Sequence, residues 1–123
     1  MRIRIVWNGG EVFGALDDTP TAHKVYEALP CSSEANTWGK EVYFELPVFT
    51  ALEKDARQVV EPGTICFWVQ GSSLALPFGP TPVSQGAECR LVTKVNTLGK
   101  LEGDPAVLRS VRDGMAIRVE RAD

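Results

Sequence analysis

Histidine is almost absent from this chain: His23 stands alone among 123 residues. A Ser-His-Asp or Cys-His hydrolase would have to rest on that one imidazole, and a histidine metal site would have a single ligand. His23 lies beside the apolar stripe of a predicted helix and reads as a solvated side chain. Cysteine is scarce too. Cys31, Cys66 and Cys89 are odd in number, far apart and without a C-x-x-C spacing. That pattern fits reduced thiols better than a disulfide framework or a zinc site. No Lys or His stands close in sequence to depress a thiol pKa, so a cysteine nucleophile is not indicated.

Positive charge is also lacking. Thirteen Lys and Arg against sixteen Asp and Glu give a net charge of −3, and the basic residues are scattered rather than interleaved with aromatics. Affinity for phosphates needs a concentrated basic face, so no nucleic-acid partner is expected. No apolar run approaches the ~20 residues of a spanning helix, and the opening MRIRIVWNGGE has no apolar signal core. Neither a dinucleotide-type nor a P-loop glycine motif occurs, and no calcium-loop spacing is present. The acidic pairs Asp17-Asp18, Glu53/Asp55 and Glu102/Asp104 fall at turns and helix starts, where carboxylates meet helix dipoles favourably. No metal, cofactor or membrane is therefore expected. The expectation is one cytoplasmic domain over residues 1–123, a size that allows one core and not two.

What the sequence has is short strands. Arg2–Trp7 (RIRIVW) alternates Ile3, Ile5 and Trp7 against Arg2 and Arg4, and Asn8-Gly9-Gly10 turns it into Glu11–Leu16 as a hairpin. A helix follows within Asp17–Pro30, capped by Asp18 or Thr19, with Pro20 in its first turn and Ala22, Val25, Tyr26 and Leu29 on one stripe. Glu41–Leu46 sets Val42, Phe44 and Leu46 against Glu41, Tyr43 and Glu45. Ala51–Val60 suits either a helix or extended chain, and is read as irregular with a short strand. Thr64–Gln70 (TICFWVQ) is apolar enough for a strand covered on both faces. Leu74–Phe78, Cys89–Leu101 and Met115–Arg121 complete the strands. A short helix begins at Asp104-Pro105, with Val107, Leu108 and Val111 inward. Gly9-Gly10, Gly39, Gly71, Gly79 and Gly99 read as turn residues at strand ends. Seven or eight strands with two short helices favour a closed or nearly closed antiparallel β-barrel, its openings covered by the helices.

Aromatic and polar residues gather at the predicted strand ends. Asn36, Thr37 and Trp38 precede a strand that carries Tyr43, and Phe78 and Thr81 lie in the proline-rich stretch PFGPTPVS. Barrel mouths are common ligand sites, and Trp or Tyr supply an apolar face with a hydrogen-bonding tip. The competing reading is that Trp38 caps the core and Pro80 and Pro82 stiffen a loop. A third use of these aromatics would be a homodimer contact.

The segments NTWGKEVYF (residues 36–44), VEPG (60–63), LPFGPTP (76–82) and VNTLGKL (95–101), with Pro47, Trp68 and Gly71, resemble the small prokaryotic cyclophilin-like family. The resemblance runs from the first hairpin to the last strand. It implies a mainly β, closed antiparallel cyclophilin-like barrel with two short helices at its ends. True cyclophilins combine an arginine that polarises the prolyl nitrogen, a Phe-x-x-Gln-Gly stretch, and aromatics around the proline ring. Phe67-x-x-Gln70-Gly71 echoes the second of these. Pro62 stands where the pattern wants arginine, the nearest on that side is Arg57, and the His-Arg pair is missing. The clustering at strand ends, together with the missing arginine, points to a barrel that binds a small molecule or a short peptide, proline-containing ones among them, through Asn36, Thr37, Trp38, Tyr43, Phe78 and Thr81, without cyclophilin-type catalysis. The alternative is an active peptidyl-prolyl isomerase whose non-standard pocket uses Phe67 and Gln70.

Overall fold

Ile3, Ile5 and Trp7 are buried as the alternation demands, on a strand β1 (Arg2–Trp7) that pairs antiparallel with β2 (Gly10–Leu16). In the computed structural model, which describes residues 1–123, ten strands form the body of the protein. The rest are β3 (Cys31–Glu34), β4 (Asn36–Thr37), β5 (Glu41–Glu45), β6 (Arg57–Val60), β7 (Thr64–Trp68), β8 (Ser73–Pro77), β9 (Cys89–Leu101) and β10 (Ala116–Arg121). Helix α1 spans Pro20–Ala28, and Pro105–Ser110 is a 3-10 helix. The order β3-β10-β1-β2-β9-β7-β8-β5-β4 gives a nearly closed antiparallel barrel. Its two edge strands, β3 and β4, are separated in the chain by Ala35 alone, so the backbone itself crosses the seam. No helix is long and apolar enough to cross a membrane.

The sequence-based reading missed β3 and β4, because CSSE and NT carry too little apolar periodicity to announce a strand. They are strands by virtue of their neighbours: β3 completes β10, and β4 folds back on β5. Thr19, not Asp18, caps α1, its hydroxyl accepting from the Ala22 N–H. Asp18 instead pairs with the exposed His23 ring. Leu108 in the 3-10 helix and Val111 just after it are buried, whereas Val107, expected inward, is exposed. The tighter repeat of three residues per turn rotates it off the face that an α-helix would have given it.

The interior has two parts. The main cluster of 23 buried residues fills the barrel, with Phe44 and Phe67 both fully enclosed. Each of these rings is worth roughly 2–3 kcal/mol of transfer free energy. A second cluster of six, Val60, Cys66, Ala75, Cys89, Leu91 and Val95, lies outside the barrel wall. It arises because β9 is long: its second half pairs with β2 and β7 in the wall, while its first half pairs with β6. The β6–β9 ribbon covers the outer face of β7 and β8, which is why β7 is apolar on both sides. Where β9 changes role, the alternation breaks. Asn96, which unbroken alternation would set on one face with Arg90 and Lys94, is buried; its amide N–H groups reach the Thr21 hydroxyl and the Ala51 carbonyl, both at 3.0 Å, and its oxygen accepts from the Glu53 N–H. That single side chain ties β9 to α1 and to the irregular segment ahead of β6.

Candidate functional site

The short hairpin β4–β5 determines the site. Trp38 donates its backbone N–H to the Glu41 carbonyl at 3.0 Å, and Asn36 pairs with Tyr43. Side chains alternate along this ribbon, so Asn36, Trp38, Glu41 and Tyr43 belong to one face, the face turned toward the second cluster. Tyr43 meets Trp68 of β7 edge to face, with ring centroids 5.9 Å apart and planes at 89°. Trp38, Tyr43, Trp68 and Val92 line an apolar cleft of about 230 Å³. Val92 is 55% exposed on its rim. The cleft is thus the open end of the second core, where β5, β7 and β9 converge and nothing covers the aromatics.

On the same face of the hairpin as Trp38 and Tyr43 is an acid, Glu41, which the sequence sets opposite Val42 and Phe44 on β5. Glu41 is only 6% exposed. Its Oε1 has no hydrogen-bond partner, and neither oxygen joins an ion pair. Burial with no compensating charge pushes its carboxyl up to about 7. The thiols of Cys66 and Cys89 are pushed up as well, first by burial and then in part by the negative charge of Glu41. The Trp68 indole N–H is likewise buried without a partner. A buried polar atom left unpaired costs about 1–3 kcal/mol, so two of them behind one cleft call for a reason.

The six residues expected to share a site divide among several places. Trp38 and Tyr43 do share the aromatic cleft. Asn36 is exposed, bordering a polar depression with Ser33, Glu34 and Glu45. Thr37 and Phe78 meet in a neighbouring cavity of about 250 Å³ whose lining also includes Lys40, Glu41 and Arg109. The Thr37 N–H and hydroxyl both bond to the Asp113 carboxylate, at 2.6 and 3.0 Å. Thr81 is buried, its hydroxyl donating to the Arg90 carbonyl and its N–H to Ser84, so it stitches the proline-rich loop to β9.

Phe67 and Gln70 do not come together. Phe67 is fully enclosed in the barrel. The strand ends at Trp68, two residues earlier than its apolar run suggests, and Gln70 lies in an exposed turn beside a wide depression with Glu45, Pro47 and Phe49. Gly71 has its own explanation: a Cβ there would lie 2.2 Å from the Trp68 ring. The glycine that completes Phe-x-x-Gln-Gly leaves room for an indole of the cleft. Trp68 and Val92 are the site residues that sequence missed. Each sits in a stretch that reads as regular strand; β8, paired with both β5 and β7, brings Trp68 beside Tyr43, and the first half of β9 brings Val92 to the same face.

No group of three or more His, Cys, Asp or Glu side chains gathers as metal ligands would. The profile of the family described as Cyclophilin-like matches residues 1–120. Among curated proteins none matches the chain. Among solved structures, the solution structure of the hypothetical protein AF2241 from Archaeoglobus fulgidus is similar at a TM-score of 0.85 and 35% identity, over 99% of this chain and 95% of that one.

Proposed function

The chain belongs to the cyclophilin-like family, and from that premise we propose that it is a binding module without cyclophilin-type catalysis. Its aromatic cleft takes a small molecule, or a short peptide through an apolar side chain such as proline. The observation that carries this reading is the convergence of Trp38, Tyr43 and Trp68, from a turn and two strands, around an uncovered cleft of about 230 Å³. Large rings packed only to seal a core would be expected inside it, and here they line an opening instead. Asn36, Thr37 and Phe78 border adjoining surfaces and would contact the flanks of a peptide. The test is a screen of small ligands and Ala-Pro peptides, read through the indole and amide NMR signals of Trp38 and Trp68. Binding partners should shift those signals, and Trp38→Ala should weaken them by about tenfold or more, the loss typical of an aromatic anchor. A screen that never moves these signals overturns the reading.

A second reading has an observation of its own. Phe78 and Arg109 border one cavity, and an aromatic wall with a guanidinium is the pair of tools that a twisted prolyl amide would need. The binding-module reading expects a protease-coupled proline-peptide assay to run at the uncatalysed rate. Acceleration that disappears in Arg109→Ala would instead establish isomerase activity at that second cavity.

A further inference from the structure

Building on the binding-module reading, we propose that the aromatic cleft selects small organic cations, quaternary or methylated ammonium groups held on the faces of Trp38, Tyr43 and Trp68 and drawn in by the Glu41 carboxylate behind them. Ring faces carry negative charge density, and cations prefer indole faces above other rings. The perpendicular Tyr43 and Trp68 rings form a corner, and Trp38 adds a third aromatic wall. The molecule's own cation–π pairs lie elsewhere, Arg2 on Phe13 and Arg121 on Tyr26. No Lys or Arg lines the cleft.

Glu41 supplies the second, independent observation. An unpaired carboxyl that is 6% exposed is rare, because the ionised form loses its hydration with nothing in return. It sits on the cleft face of β5, directly across the hairpin from Trp38 and two residues from Tyr43. A bound cation would provide the missing counter-charge in a setting that water screens poorly. The surrounding ionisable groups leave that role open. Cys66 on β7 and Cys89 on β9 are thiols held neutral by burial, and Glu61, which acts on Cys89, adds negative charge. Lys40, next in the chain, is exposed, and Arg109, which lines the neighbouring cavity together with Glu41, makes no ion pair with it. Cation affinity should therefore rise as pH is raised through about 7, where burial has set the carboxyl.

The test compares two probes of one shape: choline, and its uncharged carbon analogue in which a tert-butyl group replaces the trimethylammonium. Binding is followed through the Trp38 and Trp68 indole NMR signals of the wild-type protein. Choline should bind about tenfold more tightly than the analogue above neutral pH, with the ratio shrinking in mild acid. Glu41→Gln should remove most of that preference while leaving the analogue's affinity unchanged. Equal or tighter binding of the uncharged analogue to the wild type overturns cation selection and leaves the apolar cleft standing. Failure of both probes to shift either indole overturns the cleft itself.

Discussion

Glu41→Gln should leave stability nearly unchanged in mild acid and raise it by about 3 kcal/mol above neutral pH. The carboxyl titrates near its ordinary 4.5 in the unfolded chain and at about 7 in the folded protein. Between those values the folded state holds a proton that the unfolded state has lost, so stability falls as pH rises through this window and levels off above it. A separation of roughly 2.5 units at 1.36 kcal/mol each gives the predicted size. Neutral Gln mimics the protonated acid and lacks the charged form, so its stability curve should stay flat where the wild type declines. Urea unfolding of both proteins from about pH 4 to pH 9 would measure this. Parallel curves would mean that the carboxyl is hydrated in solution, and would remove the reason for assigning it a counter-ion. An organic cation that fits the cleft should stabilise the wild type most where Glu41 is ionised, since a ligand of the folded state adds stability in proportion to its occupancy.

The architecture was readable from the sequence to the extent that strands announce themselves by alternation. The terminal strands, the first hairpin and most of β9 follow from apolar period two and turn residues. What alternation cannot supply is the partner of a strand. Glu41 illustrates this: its place opposite Val42 and Phe44 suggests solvent, and only the β6–β9 ribbon laid over that face turns it into a buried acid. Tyr43 and Trp38 were readable as half-apolar groups at a strand end, and both line the cleft. Thr81 and Phe78 resemble them in composition and lie elsewhere, because the proline-rich loop, bonded to the Lys40 backbone in the β4–β5 turn, sets Thr81 against β9 and Phe78 in the cavity that the 3-10 helix also lines. Two proteins with identical strand patterns could place these side chains on opposite sides of the wall. Strand pairing decides, and it depends on contacts remote in sequence.

Gly99→Ala should destabilise the protein by about 3 kcal/mol or more, a larger effect than a turn glycine would give. The sequence suggests a glycine at a strand end. Instead Gly99 lies within β9, paired to Leu16 of β2 on one side and Ile65 of β7 on the other. Next to it the register with β7 slips: Ile65 faces Gly99 and Cys66 faces Thr97, so Leu98 is the extra residue of a bulge. The bulge bends β9 out of the barrel wall to meet β6, and β2 crosses against its backbone at that point. A Cβ on Gly99 would stand 2.0 Å from the Ala15 carbonyl oxygen and 2.9 Å from the Leu16 Cα. Both are backbone atoms in a hydrogen-bonded strand, so no rotamer change can relieve the overlap, and overpacking of this kind exceeds the usual 1–3 kcal/mol cost of a tight side chain. Denaturant midpoints for Gly99→Ala, compared with Gly103→Ala at a φ of +78° with no neighbour in reach, separate the steric overlap from the backbone strain of replacing a glycine. A Gly99→Ala protein as stable as wild type would mean that β9 passes β2 with more room than the bulge allows. The same bend carries Val92 to the rim of the aromatic cleft, so a variant that folds with β9 straightened should lose the cleft while keeping the barrel.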